Sequence, residues 1–256
     1  MCLTTRFAPD SPLRQLPGVI KRRPLMRLLP LWLIAFSSTL AQADDPSVYL
    51  SNNSKHHLFS ASMPPGVIAA TRQRMAPIPA PPYYQPVRFQ GPVGTRFSLA
   101  QSGSFTEGDP NLMAGLKVGR VYRFQVTGIP GAEGAELYPS VEMVDRTYPP
   151  PGLATSYPVP INLDRDDMLA ALSGQLVTRV IYLEDPQTAA PLQQPETGPV
   201  PVEVPEYQDP LHVADRRGRV VAIVRIGSLA PPRSSALAGQ FFFGHPAWAP
   251  IFQPEP

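Results

Sequence analysis

His56 and His57 stand side by side, Asp164, Asp166 and Asp167 cluster, Glu136 and Glu142 fall in one apolar-alternating stretch, and Phe241, Phe242, Phe243, Trp248 and Phe252 gather near the C-terminus. Each set suggests a chemistry. A histidine pair can hold a metal, clustered aspartates a calcium ion, paired carboxylates can cleave a glycoside, and aromatic rings can dock on a protein or stack on a sugar. Spacing argues against the first three. Adjacent residues of an extended chain point to opposite sides, and no carboxylate or third histidine lies near His56 and His57, so a solvated linker suits them better. The aspartates lack the glycine and distal glutamate of an EF-hand loop, whereas all of them fit a helix start. Glu136 and Glu142 on one strand face stand about 20 Å apart, beyond the roughly 5–10 Å of a glycosidase pair.

His212 is the only histidine in the region with strand and helix patterning, and beside Asp215, Arg216 and Arg217 it reads as a surface or cap residue. No G-x-S-x-G or H-E-x-x-H motif occurs, and the loops GPVG and GIPGAEG match neither a dinucleotide fingerprint nor a P-loop. The sequence therefore assigns no catalytic, cofactor-binding or metal residue. Phe241, Phe242, Phe243, Trp248 and Phe252 remain as candidate partner contacts, with packing on the same chain, disorder and sugar stacking as the open alternatives.

These side chains need elements to position them, and the composition limits how many there are. The chain has 256 residues and 35 prolines, about 14 per cent against an average near 5 per cent, so proline must collect in tails, linkers and strand edges. Lys21, Arg22, Arg23 and Arg27 precede an apolar run from Leu28 to Ala41, followed by Ala41-Gln42-Ala43. A basic segment, a short apolar core and an A-x-A site predict a secretory leader over residues 1–43. The run is shorter than the roughly 20 residues of a membrane span, although a retained anchor and a start at Met26 stay open. Six of the 22 basic and one of the 20 acidic residues precede Asp44, so the remaining chain carries −3. That removes the compositional case for nucleic-acid binding. The single cysteine, Cys2, leaves with the leader, so the mature chain has no disulfide and no thiol.

Residues 44–86 read as a proline-rich linker. The segment Gly119 to Val144 is the centre of the folded region: Tyr122, Phe124 and Val126, then Leu137, Val141 and Met143, alternate with polar residues across GIPGAEG, which predicts an antiparallel hairpin with one wet face. Val87, Phe89, Phe97 and Leu99 form a second hairpin around GPVG. Pro158 and Pro160, alternating with Val159 and Ile161, predict an edge strand. Asp164 should cap a helix carrying Met168, Leu169 and Leu172 and closed by Gly174, and Asp209 with Pro210 should open another that ends at Gly218. LVTRVIYL (176–183), apolar on both faces, reads as an inner strand, followed by a mobile insertion over 187–207 and the strand VVAIVRI (220–226). A proline and aromatic tail follows over 229–256.

The pieces PVRFQGPVG (86–94), YRFQVTGIPGAEGAELYPSVEMV (122–144), VIYLEDPQ (180–187) and DPLHVADRRGRVVAIVRIGS (209–228) resemble a family of exported bacterial proteins of unknown function. The resemblance implies export and brings no activity, cofactor or site residue. The expected fold is mainly β: a single antiparallel β-sandwich over residues 87–228, of roughly six to eight strands with two short helices; an open sheet packed by helices is the alternative. Tyr122, Phe124, Val126, Leu137, Val141, Val180, Ile181, Val220, Val224 and Ile226 should form the core. The expected role is a non-enzymatic envelope or periplasmic module without cofactor that binds a protein or surface polymer, spans no membrane after cleavage and binds no nucleic acid. A secreted hydrolase or a carbohydrate-binding protein is the alternative.

Overall fold

The structure, a computed structural model, describes residues 2–6, 59–75, 82–101, 104–187, 189, 201–243 and 251–252. All of them lie in one compact unit. The apolar run of the leader, His56, His57, Trp248 and most of the insertion lie outside the described residues.

In chain order the elements are β1 (Cys2–Arg6), α1 (Val67–Met75), β2 (Tyr84–Gln90), β3 (Arg96–Gln101), β4 (Ser104–Phe105), β5 (Met113–Lys117), β6 (Val121–Thr127), β7 (Ser140–Met143) and β8 (Val159–Asn162). There follow α2 (Arg165–Leu172), β9 (Val177–Glu184), β10 (Val202–Glu203), α3 (Pro210–Arg217), β11 (Gly218–Ile226), a 3-10 turn, α4 (Ala238–Phe241) and β12 (Ile251–Phe252). The chain is mainly strand, with short helices. One sheet has eight strands in the order β10-β1-β9-β11-β7-β6-β3-β4, the other four in the order β12-β5-β2-β8. Pairing is antiparallel except for β1 with β10 and β2 with β8.

The central hairpin forms as its alternation requires. Tyr122 pairs with Val141, and a bridge joins Val126 to Leu137. Gly128, Gly131 and Gly134 in the loop all have positive φ. At Gly128 the backbone also approaches Gly94 in the neighbouring turn, where a Cβ would meet the Gly94 oxygen at 2.2 Å. The edge strand is β8, last in its sheet, where Pro160 removes a donor from the ladder and Pro158 immediately precedes the strand. Asp164 caps α2 by accepting from the Asp167 N–H (2.9 Å), and Asp209 caps α3 by accepting from the Leu211 N–H (2.8 Å).

Every residue expected in the core is buried, but they divide between two clusters. The first takes side chains from both sheets: Phe89 of β2 and Ile161 of β8 join Phe97, Phe124, Val141 and Val224 of the larger sheet. The second lies on the opposite face of the larger sheet, where Val180, Tyr182, Val220 and Ile223 meet Phe59, Ile68, Leu211 and Ala214.

That second layer corrects the linker expected over 44–86. Residues 59–75 are packed there, with Ile68 and Ala69 fully buried, and β2 begins at Tyr84. It also corrects the wet face of the hairpin, since Arg123, Ser140 and Glu142 are buried. A third cluster covers the sheet beside Arg123 with Ala100, Tyr138, Phe241 and Phe242. The insertion is shorter than 187–207, because β10 pairs with β1 and Val204 joins the second cluster.

Candidate functional site

Burying a charge is costly unless it is paired, so the charged groups inside this fold show what holds it together. Glu142 is fully buried on β7, accepts from the Ala69 N–H (2.8 Å) and pairs with Arg225 on β11 (2.8 Å). Ala69 is in the first turn of α1, where N–H groups lack intrahelical partners and the helix dipole favours an anion. The carboxylate thus serves a helix end and a guanidinium at once. Arg225 also donates to the Ala61 carbonyl (3.3 Å), and the His212 Nε2 donates to the Phe59 carbonyl (2.7 Å), so the 59–63 segment is tied to β11 and α3. On the other face, Arg179 of β9 pairs with both Asp164 and Asp167 and donates to the Asn162 carbonyl (2.7 Å). Two of the three acids weighed for calcium, Asp164 and Asp167, hold a guanidinium instead.

Glu136 accepts from the Tyr138 hydroxyl, so the two glutamates of the hairpin serve different partners. Among the described residues no group of His, Cys, Asp or Glu is placed to hold a metal, and no helix is long and apolar enough to cross a membrane.

Two rings of the aromatic tail are internal. Phe241 and Phe242 are buried, in ring contact with each other (centroids 4.9 Å apart), with Tyr138 (5.6 Å from Phe241) and with Phe105 (5.7 Å from Phe242). Arg123 lies 4.7 Å from the ring centroids of both Phe241 and Phe243 and donates to the Phe241 carbonyl (3.1 Å). Burial lowers the Arg123 pKa to about 10. Phe241 and Phe242 are therefore buried within the chain, where they pack with Ala100, Tyr138, Phe105 and Ala238, and are not exposed partner contacts. Phe252 lies in β12 opposite Met113, and Trp248 is outside the described residues.

A concave surface lies elsewhere among the described residues. A cleft of about 510 Å³ opens between the loop after β7, the approach to β8 and the end of β9. Tyr148, Pro149, Tyr157, Pro160, Tyr182 and Leu183 are among its walls. Tyr148 and Tyr157 stand 68% and 58% exposed, an unusual state for large rings in a concave site. Prolines stiffen both loops. Tyr148 is held between two cations, with Arg146 at 4.5 Å and Arg219 at 5.1 Å from its ring centroid. Arg219 donates to the Arg146 carbonyl (2.8 Å) and shares Asp145 with Arg72. A hydrogen bond with Tyr148 raises the Arg146 pKa above its ordinary value. The side-chain oxygen of Asn162, also on the lining, is buried without a hydrogen-bond partner and is an acceptor facing no donor.

Two exposed tyrosine rings, one of them backed by guanidinium groups, and the surrounding prolines suit the recognition of an extended chain or a ring system. Among the described residues the lining carries no histidine, cysteine, lysine or carboxylate. Sequence reasoning passed over this cleft, although YPPPGLATSYPVP (148–160) held its signal: two tyrosines set among prolines just ahead of the edge strand. A scan of protein-family models and searches of curated proteins and of solved structures found no match to this chain.

Proposed function

We propose that this chain is an exported, non-enzymatic binding module of the cell envelope, built as a two-layer β-sandwich, whose recognition surface is the Tyr148–Tyr157 cleft and not the aromatic tail. The observation that carries the reading is the cleft itself: two exposed tyrosine rings set among prolines, one of them, Tyr148, contacted by two arginines. Export is supported by the basic segment, apolar run and A-x-A site before Asp44. The ligand class is protein or surface polymer.

The test is capture from envelope extract, together with binding to a panel of envelope polysaccharides, by the chain and by a Tyr148→Ala/Tyr157→Ala variant. Both substitutions are at exposed rings and should leave the melting temperature nearly unchanged. Loss of one specific ligand by the variant is the expected result. Equal binding by both forms removes the cleft from consideration, and hydrolysis of an envelope polymer or peptide that survives repurification replaces the binding reading with an enzymatic one.

A further inference from the structure

We propose that the outer edge of β9 is a strand-acceptor site running into the Tyr148–Tyr157 cleft, filled in the processed protein by an extended segment of a partner polypeptide. The inference rests on the reading above, for the cleft and for removal of the leader.

Strand β9 has the character of an inner strand. Val177 and Ile181 belong to the first core cluster, Val180 and Tyr182 to the second, so both of its faces are buried. On one side it pairs with β11 from Val177 to Glu184. On the other its described partner is β1, with Cys2 opposite Ile181 and Arg6 opposite Val177. Yet β1 lies in the stretch read as a cleaved leader. Cleavage after Ala43 cuts the covalent link, and loss of residues 2–6 leaves an inner-type strand at an edge.

Natural edges are blunted by proline, by charge or by cover. β8 shows such a device in Pro160. β9 has none: it contains no proline, and its one cation, Arg179, is turned to Asp164 and Asp167. Its unpaired N–H and C=O groups would be a template for strand addition, in which main-chain hydrogen bonds supply affinity and side-chain pockets supply selectivity. β10 lies parallel to β1 on its far side, so an occupant sits in a slot between two strands.

The register also sets the chemistry of the occupant. A strand antiparallel to β9 leaves the slot N-terminally at Ile181, and its preceding residues pass Tyr182 and Leu183, which line the cleft. The fitting partner is thus an extended segment with an apolar residue opposite Val180, where Leu3 stands here, and with proline or apolar residues just N-terminal to the paired stretch.

The test uses processed protein recovered from the envelope and a synthetic peptide of residues 1–7 as probe, read by amide hydrogen exchange. In the processed protein the amides of Val177–Ile181 that point away from β11 should exchange at least tenfold faster than in the full chain, while those bonded to β11 and β11 itself stay protected. Added peptide should restore protection, and the same peptide carrying Thr4→Pro should not. A probe extended N-terminally by prolines should bind more tightly, and Tyr157→Ala should remove only that gain. Failure of this last arm alone counts against the cleft reading and leaves the acceptor edge supported. Equal protection of β9 in both forms, no effect of the peptide, collapse of β11 protection together with β9, or self-association through β9 would each overturn the proposal. If intact mass shows residues 1–43 retained, the leader reading fails; the full-length Thr4→Pro variant then decides the acceptor edge by whether added peptide protects β9.

Discussion

Glu142 links three separate parts of the chain, and its replacement shows how much a buried charge is worth here. Removing the carboxylate leaves Arg225 buried and unpaired and the Ala69 N–H without its acceptor. Glu142→Ala should cost about 3–5 kcal/mol in urea unfolding, because one half of a buried pair is more damaging to lose than both. A Glu142→Leu/Arg225→Met double variant should recover most of that loss. If the double variant is as unstable as the single one, the Ala69 contact is the larger part of the role. Tyr138 gives a second residue-level expectation. Burial, reinforced by the Glu136 carboxylate, raises its pKa to about 12, whereas an unfolded tyrosine titrates near 10. The folded state therefore keeps a proton that the unfolded state releases, and this contribution to stability is complete below pH 10 and lost between about pH 10 and 12. In a phenolate absorbance titration the native protein should lag the denatured one, and Tyr138→Phe should shrink the lag.

At the scale of elements, the turns that meet at Gly94 and Gly128 set the geometry of the central hairpin and of the crossing from β2 to β3; these two strands lie in different sheets, so the hairpin expected around GPVG is corrected to a sheet-to-sheet connection. Gly134, in the same loop as Gly128, also has positive φ but has open space where a Cβ would go. Gly134→Ala should cost about 1 kcal/mol, the conformational term alone, and Gly128→Ala clearly more, since its Cβ would strike backbone. Equal losses would mean that the close approach relaxes freely. What the sequence made legible follows the same division between local and distant causes. Alternation around GIPGAEG, prolines at β8, and the Asp164 and Asp209 caps act over a few residues, and each element stands where its signal lies. α1 was not legible. Its VIAATRQRM segment has little apolar periodicity, and it is held by a carboxylate 73 positions away. The lone arginine in LVTRVIYL was a signal of the same kind for the α2 acids, visible as a charge in a buried strand but silent about its partner.

Across the whole molecule, coverage of both faces of the larger sheet decides which parts can be removed. Deleting residues 190–200 should change stability by about 1 kcal/mol or less, since loop-closure cost grows slowly with length. Deletion through Tyr207 should cost more, because it removes β10 and the buried Val204. Ending the chain at Leu237 should cost at least the roughly 3 kcal/mol of a single Phe-to-Ala change in a core, by uncovering Tyr138 and taking the Phe241 carbonyl from Arg123. Denaturant melts of the three forms rank them, and a truncation as stable as the full chain would remove the third cluster from the account. The strand order carries one more consequence. β11 stands between β9 and β7, so the strand that joins the two halves of the large sheet is also the last of that sheet to leave the ribosome. Nascent chains stalled before residue 218 should remain open to protease along their whole length, and resistance should arise in one step once Ile226 has emerged, so that the chain stays unfolded until synthesis is nearly done.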